Sequence, residues 1–145
     1  MYNTPHILHL RCLQGFKLNI RVYYEDTDAG GIVYHSNYLN FCERARSQLF
    51  FDAGRSPVLS NGHFIAKHIE ADYLKSAKLG DQLNVKTTLL EMKNASFTLL
   101  QEIFRSDEKL FSMKVVLVFV DFSGKMAKIP TEEKAFLHTF IDSDK

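Results

Sequence analysis

Cysteine is scarce in this chain. Only Cys12 and Cys42 occur, with no C-x-x-C and no Cys/His spacing around them, which argues against a disulfide framework or a structural zinc site and fits a reducing compartment. A single bridge between the two stays open. An excess of one charge is lacking too: 18 Lys+Arg face 17 Asp+Glu, so no broad field recruits nucleic acid or an anionic membrane surface. Any anionic partner must be held locally. No run approaches the ~20 apolar residues of a spanning helix, and "MYNTPHILHLRCLQGF" mixes His, Arg and Gln into its apolar residues instead of reading as a leader. A cytoplasmic location is the expectation. Repeats, low-complexity tracts and linkers are missing as well, and 145 residues suit one domain able to bury roughly 70% of its unfolded surface.

What is present reads mostly as strands. "FKLNIRVYY" (16–24) alternates apolar and polar residues and runs into an acidic turn. After that turn Ser36 or Asn37 can cap a helix over about 37–52, where Tyr38, Phe41, Cys42, Ala45 and Leu49 recur every three or four residues before Gly54 and "RSP" stop it. Strands are expected at 64–75, at 82–93 with Leu83, Val85, Thr87 and Leu89 on one face, at 95–106, and at 109–122 with Phe111, Met113, Val115, Leu117 and Phe119 on one face. "KLGD" (78–81) suits a turn, and the "DE" pair at 107–108 gives hairpin spacing. A short helix after Pro130, at about 131–140, turns Ala135, Phe136 and Phe140 inward. The faces are satisfied by an α+β arrangement, one antiparallel sheet wrapping one long helix. A lone helix covers only part of such a sheet and exposed strand edges invite pairing, so a dimer or larger assembly is expected.

The acidic turn "YYEDTDAGGIVYHSNY" (23–38) concentrates the polar chemistry. As a calcium loop from Asp26 it puts Asp28 and Gly31 at suitable positions, but the twelfth position is Asn37 and the bidentate Glu is missing. As a phosphate loop it fails because "GGIVYHSN" carries neither Gly-Lys-Ser/Thr nor Gly-x-Gly-x-x-Gly. A plain turn accounts for Asp26 and Gly30 through backbone geometry. Asp28 has a further reading: it lies just ahead of a helix N-terminus, whose unpaired amides can polarise a carbonyl oxygen. A carboxylate beside such donors is a minimal apparatus for acyl transfer.

"VYYEDTDAGGIVYHSNYLNFCERAR" (22–46), supported by "DYLKSAKLGDQLNV" (72–85), closely resembles the hotdog-fold acyl-CoA thioesterases of the 4-hydroxybenzoyl-CoA thioesterase family, most of all the bacterial Tol-Pal-associated members. The resemblance covers most of the chain and implies a hotdog domain at 16–145 behind an N-terminal extension at 1–15. It implies that Asp28 is catalytic, that a backbone amide near His35 polarises the thioester carbonyl, and that no metal or bound cofactor is needed. Coenzyme A then enters as part of the substrate. It further implies a homotetramer built from dimers, with acyl carrier protein as a further partner and a location peripheral to the inner membrane.

An ionised carboxylate, usual above pH ~3.9 for a free aspartate, either attacks the thioester carbon or deprotonates water. Both roles stay open for Asp28. His35 contributes either its imidazole or only its amide. Gly31, Tyr24 and Tyr34 are the substrate-binding candidates, the two tyrosines bracketing the turn as acyl-pocket walls or as core. Glu43 reads as structural. His6 and His9 lack a third metal ligand, and His63 and His68, five residues apart, fall on opposite faces of a regular strand. Lys67, Lys75, Lys78 and Arg55 are candidates for the phosphates of coenzyme A. Two alternatives accompany the thioesterase reading. One is a hotdog 3-hydroxyacyl thioester dehydratase, disfavoured because His35 and Glu43 lie about 12 Å apart along a helix. The other is an acyl-CoA or acyl-carrier-protein binding module or scaffold in lipid metabolism.

Overall fold

The computed structural model describes residues 16–140; the expected extension at 1–15, with His6, His9 and Cys12, lies outside them. The elements are β1 (Phe16–Arg21), a 3₁₀ turn (Tyr24–Asp26), α1 (Asn37–Asp52), β2 (Val58–Leu59), β3 (Gly62–Tyr73), β4 (Gln82–Met92), β5 (Ser96–Arg105), β6 (Glu108–Val120) and α2 (Thr131–Phe140). All strands join one sheet in the order β1-β4-β5-β6-β3-β2, each pair antiparallel. The expected alternation holds on its inner face. Leu83, Val85, Thr87 and Leu89 of β4 are buried, as are Phe111, Met113, Val115, Leu117 and Phe119 of β6. The stripe predicted for α1 packs on that face, with Tyr38, Phe41, Cys42, Ala45 and Leu49 all buried. Each Val, Leu, Phe or Met among them contributes about 1.5–3 kcal/mol on full burial. This is the hotdog arrangement, a sheet curled round one central helix.

One polar side chain is built into that layer. Gln101 of β5 is wholly buried, donates through Nε2 to the Cys42 carbonyl and to Thr87 Oγ1, both at 3.0 Å, and accepts from Arg46 Nη1 at 3.0 Å. Every polar atom of its amide is used, so burial carries no unpaired penalty.

Several boundaries differ from the alternation pattern. β1 stops at Arg21, because beyond it Val22 bonds to Asp81 and Gly80 in the 78–81 turn, and Tyr23 and Tyr24 stay exposed. A two-residue strand, β2, pairs with the start of β3, which therefore begins at Gly62. There the backbone packs so closely that a Cβ would collide with the Val120 carbonyl and the Phe119 ring. The β5–β6 turn is Ser106–Asp107, with Ser106 at φ 54° and Glu108 already paired to Arg105. In α2 the inward side is Glu133, Phe136 and Leu137, whereas Ala135 is exposed; Glu133 is drawn in by Arg55 at 2.9 Å. The side chain of Phe140 lies outside the described residues. A bulge between Ala66 and His68 resets the alternation of β3, so His63 and His68 share a face instead of opposing each other.

Candidate active site

Beyond β1 the chain is folded round Asp26. Its buried carboxylate accepts the Tyr23 amide at 2.9 Å, and its carbonyl accepts the Tyr34 amide at 3.0 Å and Asn37 Nδ2 at 2.9 Å. Asp26 is thus the post that ties the turn to the first residue of α1. The turn itself is a small excursion closed by a Thr27–Val33 bridge. At its tip Asp28 Oδ1 accepts the Gly30 amide at 2.8 Å, and the Gly31 amide donates to the Asp28 carbonyl at 3.0 Å. Gly31, at φ +81°, takes the left-handed conformation that a side chain would resist.

The chain then reaches α1 with its N-terminus open. Ser36 occupies the cap position with helical angles and no side-chain cap, and the first turn holds no acid. Among the described residues, the amides of His35 and Ser36 have no acceptor. Unpaired donors and the positive end of the helix dipole therefore coincide here. Two tyrosines hold the position, Tyr38 from the core and the half-exposed Tyr73. Tyr73, at the end of β3, donates its hydroxyl to the His35 carbonyl at 2.9 Å. Tyr38 accepts the Ala77 amide at 2.9 Å and stacks on Phe111 with centroids 5.2 Å apart. Burial pushes both phenols above their ordinary pKa, so they remain hydroxyl donors at neutral pH.

Asp28 and His35 line one cavity of about 340 Å³, together with Tyr38, Tyr73 and Lys75. Gly31 and Tyr34 are not in that lining, although their chain neighbours Ile32, Val33 and His35 are. The Tyr34 ring lies 4.4 Å from the His35 ring and is half exposed. Tyr24 is 81% exposed on the 3₁₀ turn, so it is neither core nor cavity wall in the single chain. Glu43 accepts from Ser47 Oγ at 2.6 Å and lines other clefts. Within the single chain His35 and Glu43 therefore do not line the same cavity. Tyr38 and Tyr73 were not singled out from sequence: the first reads as helix core, and the second comes from a strand 38 residues away from His35.

An ion network fixes the far wall. Lys75 Nζ meets Glu108 at 2.8 Å, and Arg105 meets both Glu108 and Asp81 at 2.7 Å. Lys75 and Arg105 hold the Glu108 carboxyl down at about 2. For Asp81 burial acts upward, but the Lys78 amide and Arg105 outweigh it, and the net shift is downward. The 74–81 segment is thereby tied to the β5–β6 hairpin. Of the candidate phosphate ligands, Lys75 is in this network, and Arg55 pairs with Glu133 and lies 4.7 Å over Phe136. Lys67 and Lys78 have no ion pair among the described residues. Nor do the described residues contain a cluster of three or more potential metal ligands.

Against known proteins, residues 22–137 match the family model of the thioesterase-like superfamily. The chain belongs to the thioesterase-like superfamily. Within reach of this superfamily member, an acyl-CoA thioesterase, YbgC, of Haemophilus influenzae is 40% identical over 130 residues, covering 86% of this chain and 95% of the relative. The Helicobacter pylori acyl-CoA thioesterase YbgC is 45% identical over 87 residues, 60% of this chain. That match spans 65% of the Helicobacter protein's own length. In fold, the chain superposes on a 1,4-dihydroxy-2-naphthoyl-CoA thioesterase from Synechocystis with a TM-score of 0.77, at 23% identity, over 84% of this chain and 94% of the other.

Proposed function

We propose that this superfamily member hydrolyses the thioester of an acyl-CoA to a carboxylic acid and free coenzyme A. The observation that carries the reading is the meeting, in one cavity, of the Asp28 carboxylate with the uncapped start of α1. The thioester oxygen sits against the free amide near His35, which stabilises the negative charge that develops on it; one such donor typically contributes ~3–4 kcal/mol. Asp28 then acts in one of two balanced ways. As general base it takes a proton from water while the hydroxide adds to the carbonyl carbon; collapse breaks the C–S bond, and the thiolate leaves with that proton. As nucleophile its oxygen adds to the carbon and expels the thiolate, forming an anhydride that water then cleaves. The Gly30 amide occupies Oδ1, which leaves Oδ2 to react. The His35 imidazole is available to protonate the departing thiolate, and the proposed substrate contacts of Gly31, Tyr24 and Tyr34 belong to the outer part of the site.

The same reading includes a homodimer, and a tetramer built from two. Its support is β3: one edge pairs with β6, but β2 covers the other edge only at Gly62 and His63, and Ile65, Ile69 and Tyr73 stay 40–49% exposed along it. A long edge with apolar side chains is stable when paired with a second copy. A cytoplasmic location at the inner membrane, with acyl carrier protein as a further acyl donor, completes the reading; the scarcity of cysteine accords with a reducing compartment. The decisive experiment is release of free thiol from a panel of short, long and aromatic acyl-CoAs by the purified protein. Turnover of at least one class is expected. Tight acyl-CoA binding with no thiol release would replace the enzyme by a binding module.

A further inference from the structure

A second cavity, of about 180 Å³, lies under the later half of α1, walled by Leu49 and Phe50 of the helix and by Phe64, Phe97, Leu99 and Leu117 of the sheet. Beside Glu43, Ser47, His63 and Thr87, its other polar members, Arg46 stands in this wall. Its guanidinium has five donors, and the one acceptor that it meets among the described residues is Gln101 Oε1 at 3.0 Å. It makes no ion pair among the described residues. Glu43, one turn earlier, is exposed and directed to Ser47. None of the Arg46 nitrogens is among the buried side-chain atoms left without a partner among the described residues, so the remaining donors are open to an incoming acceptor. Comparable apolar cavities of ~150 Å³ hold a molecule as large as benzene, so there is room for a short acyl group.

Within one chain the two cavities share no lining residue. Both cavities nevertheless reach β3. Phe64 and Ala66, near its start, line the Arg46 cavity, and Tyr73, at its end, lines the Asp28 cavity. Antiparallel pairing of two β3 edges about a two-fold axis near mid-strand sets the start of one strand beside the end of the other. The Asp28 cavity of each copy then adjoins the Arg46 cavity of its mate.

We infer that the acyl group of a thioester held at Asp28 of one copy ends in the Arg46 cavity of the second copy, and that Arg46 selects acyl chains with an oxygen acceptor at the far end, a carboxylate above all. The inference rests on the thioesterase reading. It makes Arg46 a specificity residue acting across the dimer, and the substrate class the mono-thioesters of short dicarboxylic acids.

The test is kcat/KM for matched pairs, succinyl-CoA against butyryl-CoA and adipyl-CoA against hexanoyl-CoA. A charge-assisted hydrogen bond corresponds to about tenfold to a hundredfold, so wild type favours one dicarboxylic member by that factor, and in Arg46→Leu the ratio collapses to about one. Arg46→Gln serves the same comparison if the leucine variant does not fold. Mixing Asp28→Asn copies with Arg46→Leu copies restores adipyl turnover, because each mixed dimer holds one site with both residues intact. Absence of any dicarboxylic preference in an active wild type, or an equal loss on both members of a pair in a folded Arg46 variant, overturns the inference while leaving the thioesterase reading standing. No rescue on mixing overturns the assignment across the dimer. No hydrolysis of any acyl-CoA by wild type sinks the underlying reading instead.

Discussion

Tyr73→Phe isolates the positioning of the helix start. The substitution keeps the ring, whose neighbours are Tyr38 at 5.5 Å and Phe111 at 4.9 Å, and deletes only the hydroxyl that donates to the His35 carbonyl at 2.9 Å. One such bond is worth about 0.5–1.5 kcal/mol. As stability, that lowers the melting temperature by about 2–6 °C for a domain of this size. As catalysis, the most it can cost is the same free energy in the transition state, about two- to tenfold in kcat. KM should move little, because the role proposed for the amide near His35 is exerted on the charge that develops after binding. Thiol release at saturating and limiting acyl-CoA, beside a thermal melt, measures both. A melting shift with unchanged kcat would refute the idea that this hydroxyl positions the oxyanion donor. A loss beyond a thousandfold in a folded protein would refute it from the other side, since Tyr73 would then touch the reacting atoms.

Gly62→Ala should destabilise by about 2–4 kcal/mol through overpacking against the Val120 carbonyl and the Phe119 ring, read as a lower midpoint in urea. Glu108 carries a pH prediction. Its carboxyl falls from an ordinary 4.5 to about 2 in the folded chain because of Lys75 and Arg105. The folded state therefore binds this proton less readily than the unfolded one, so the contribution is present above pH ~4.5 and is lost as pH falls toward ~2. Melting temperature followed over that window should drop less steeply in Glu108→Gln than in wild type; parallel curves would count against the network as the tie on the 74–81 segment.

Periodicity carried the fold where burial follows alternation, as in β4 and β6, whose expected inner faces are the observed ones. It failed where something other than hydropathy decides. Tyr23 and Tyr24 look like strand, yet the Asp26 carboxylate captures the Tyr23 amide and turns the chain. The β3 bulge shifts the alternation by one, and no residue type announces it. Glu133 is buried by an arginine 78 residues earlier. The site divides in the same way. That Asp28 and His35 lie near each other was legible because the turn and the helix start that hold them are contiguous in sequence. Tyr73 arrives through the sheet, and Arg46 meets Gln101 only because α1 lies across β5.

The most direct test of the account is the turnover of folded Asp28→Asn, an isosteric change that keeps an oxygen able to accept the Gly30 amide and removes the charge. Thiol release from the preferred acyl-CoA should fall by about a hundredfold to ten-thousandfold, the range for loss of a positioned base, with the melting temperature within a few degrees of wild type. Near-normal kcat in that protein would contradict the assignment of the chemistry to Asp28.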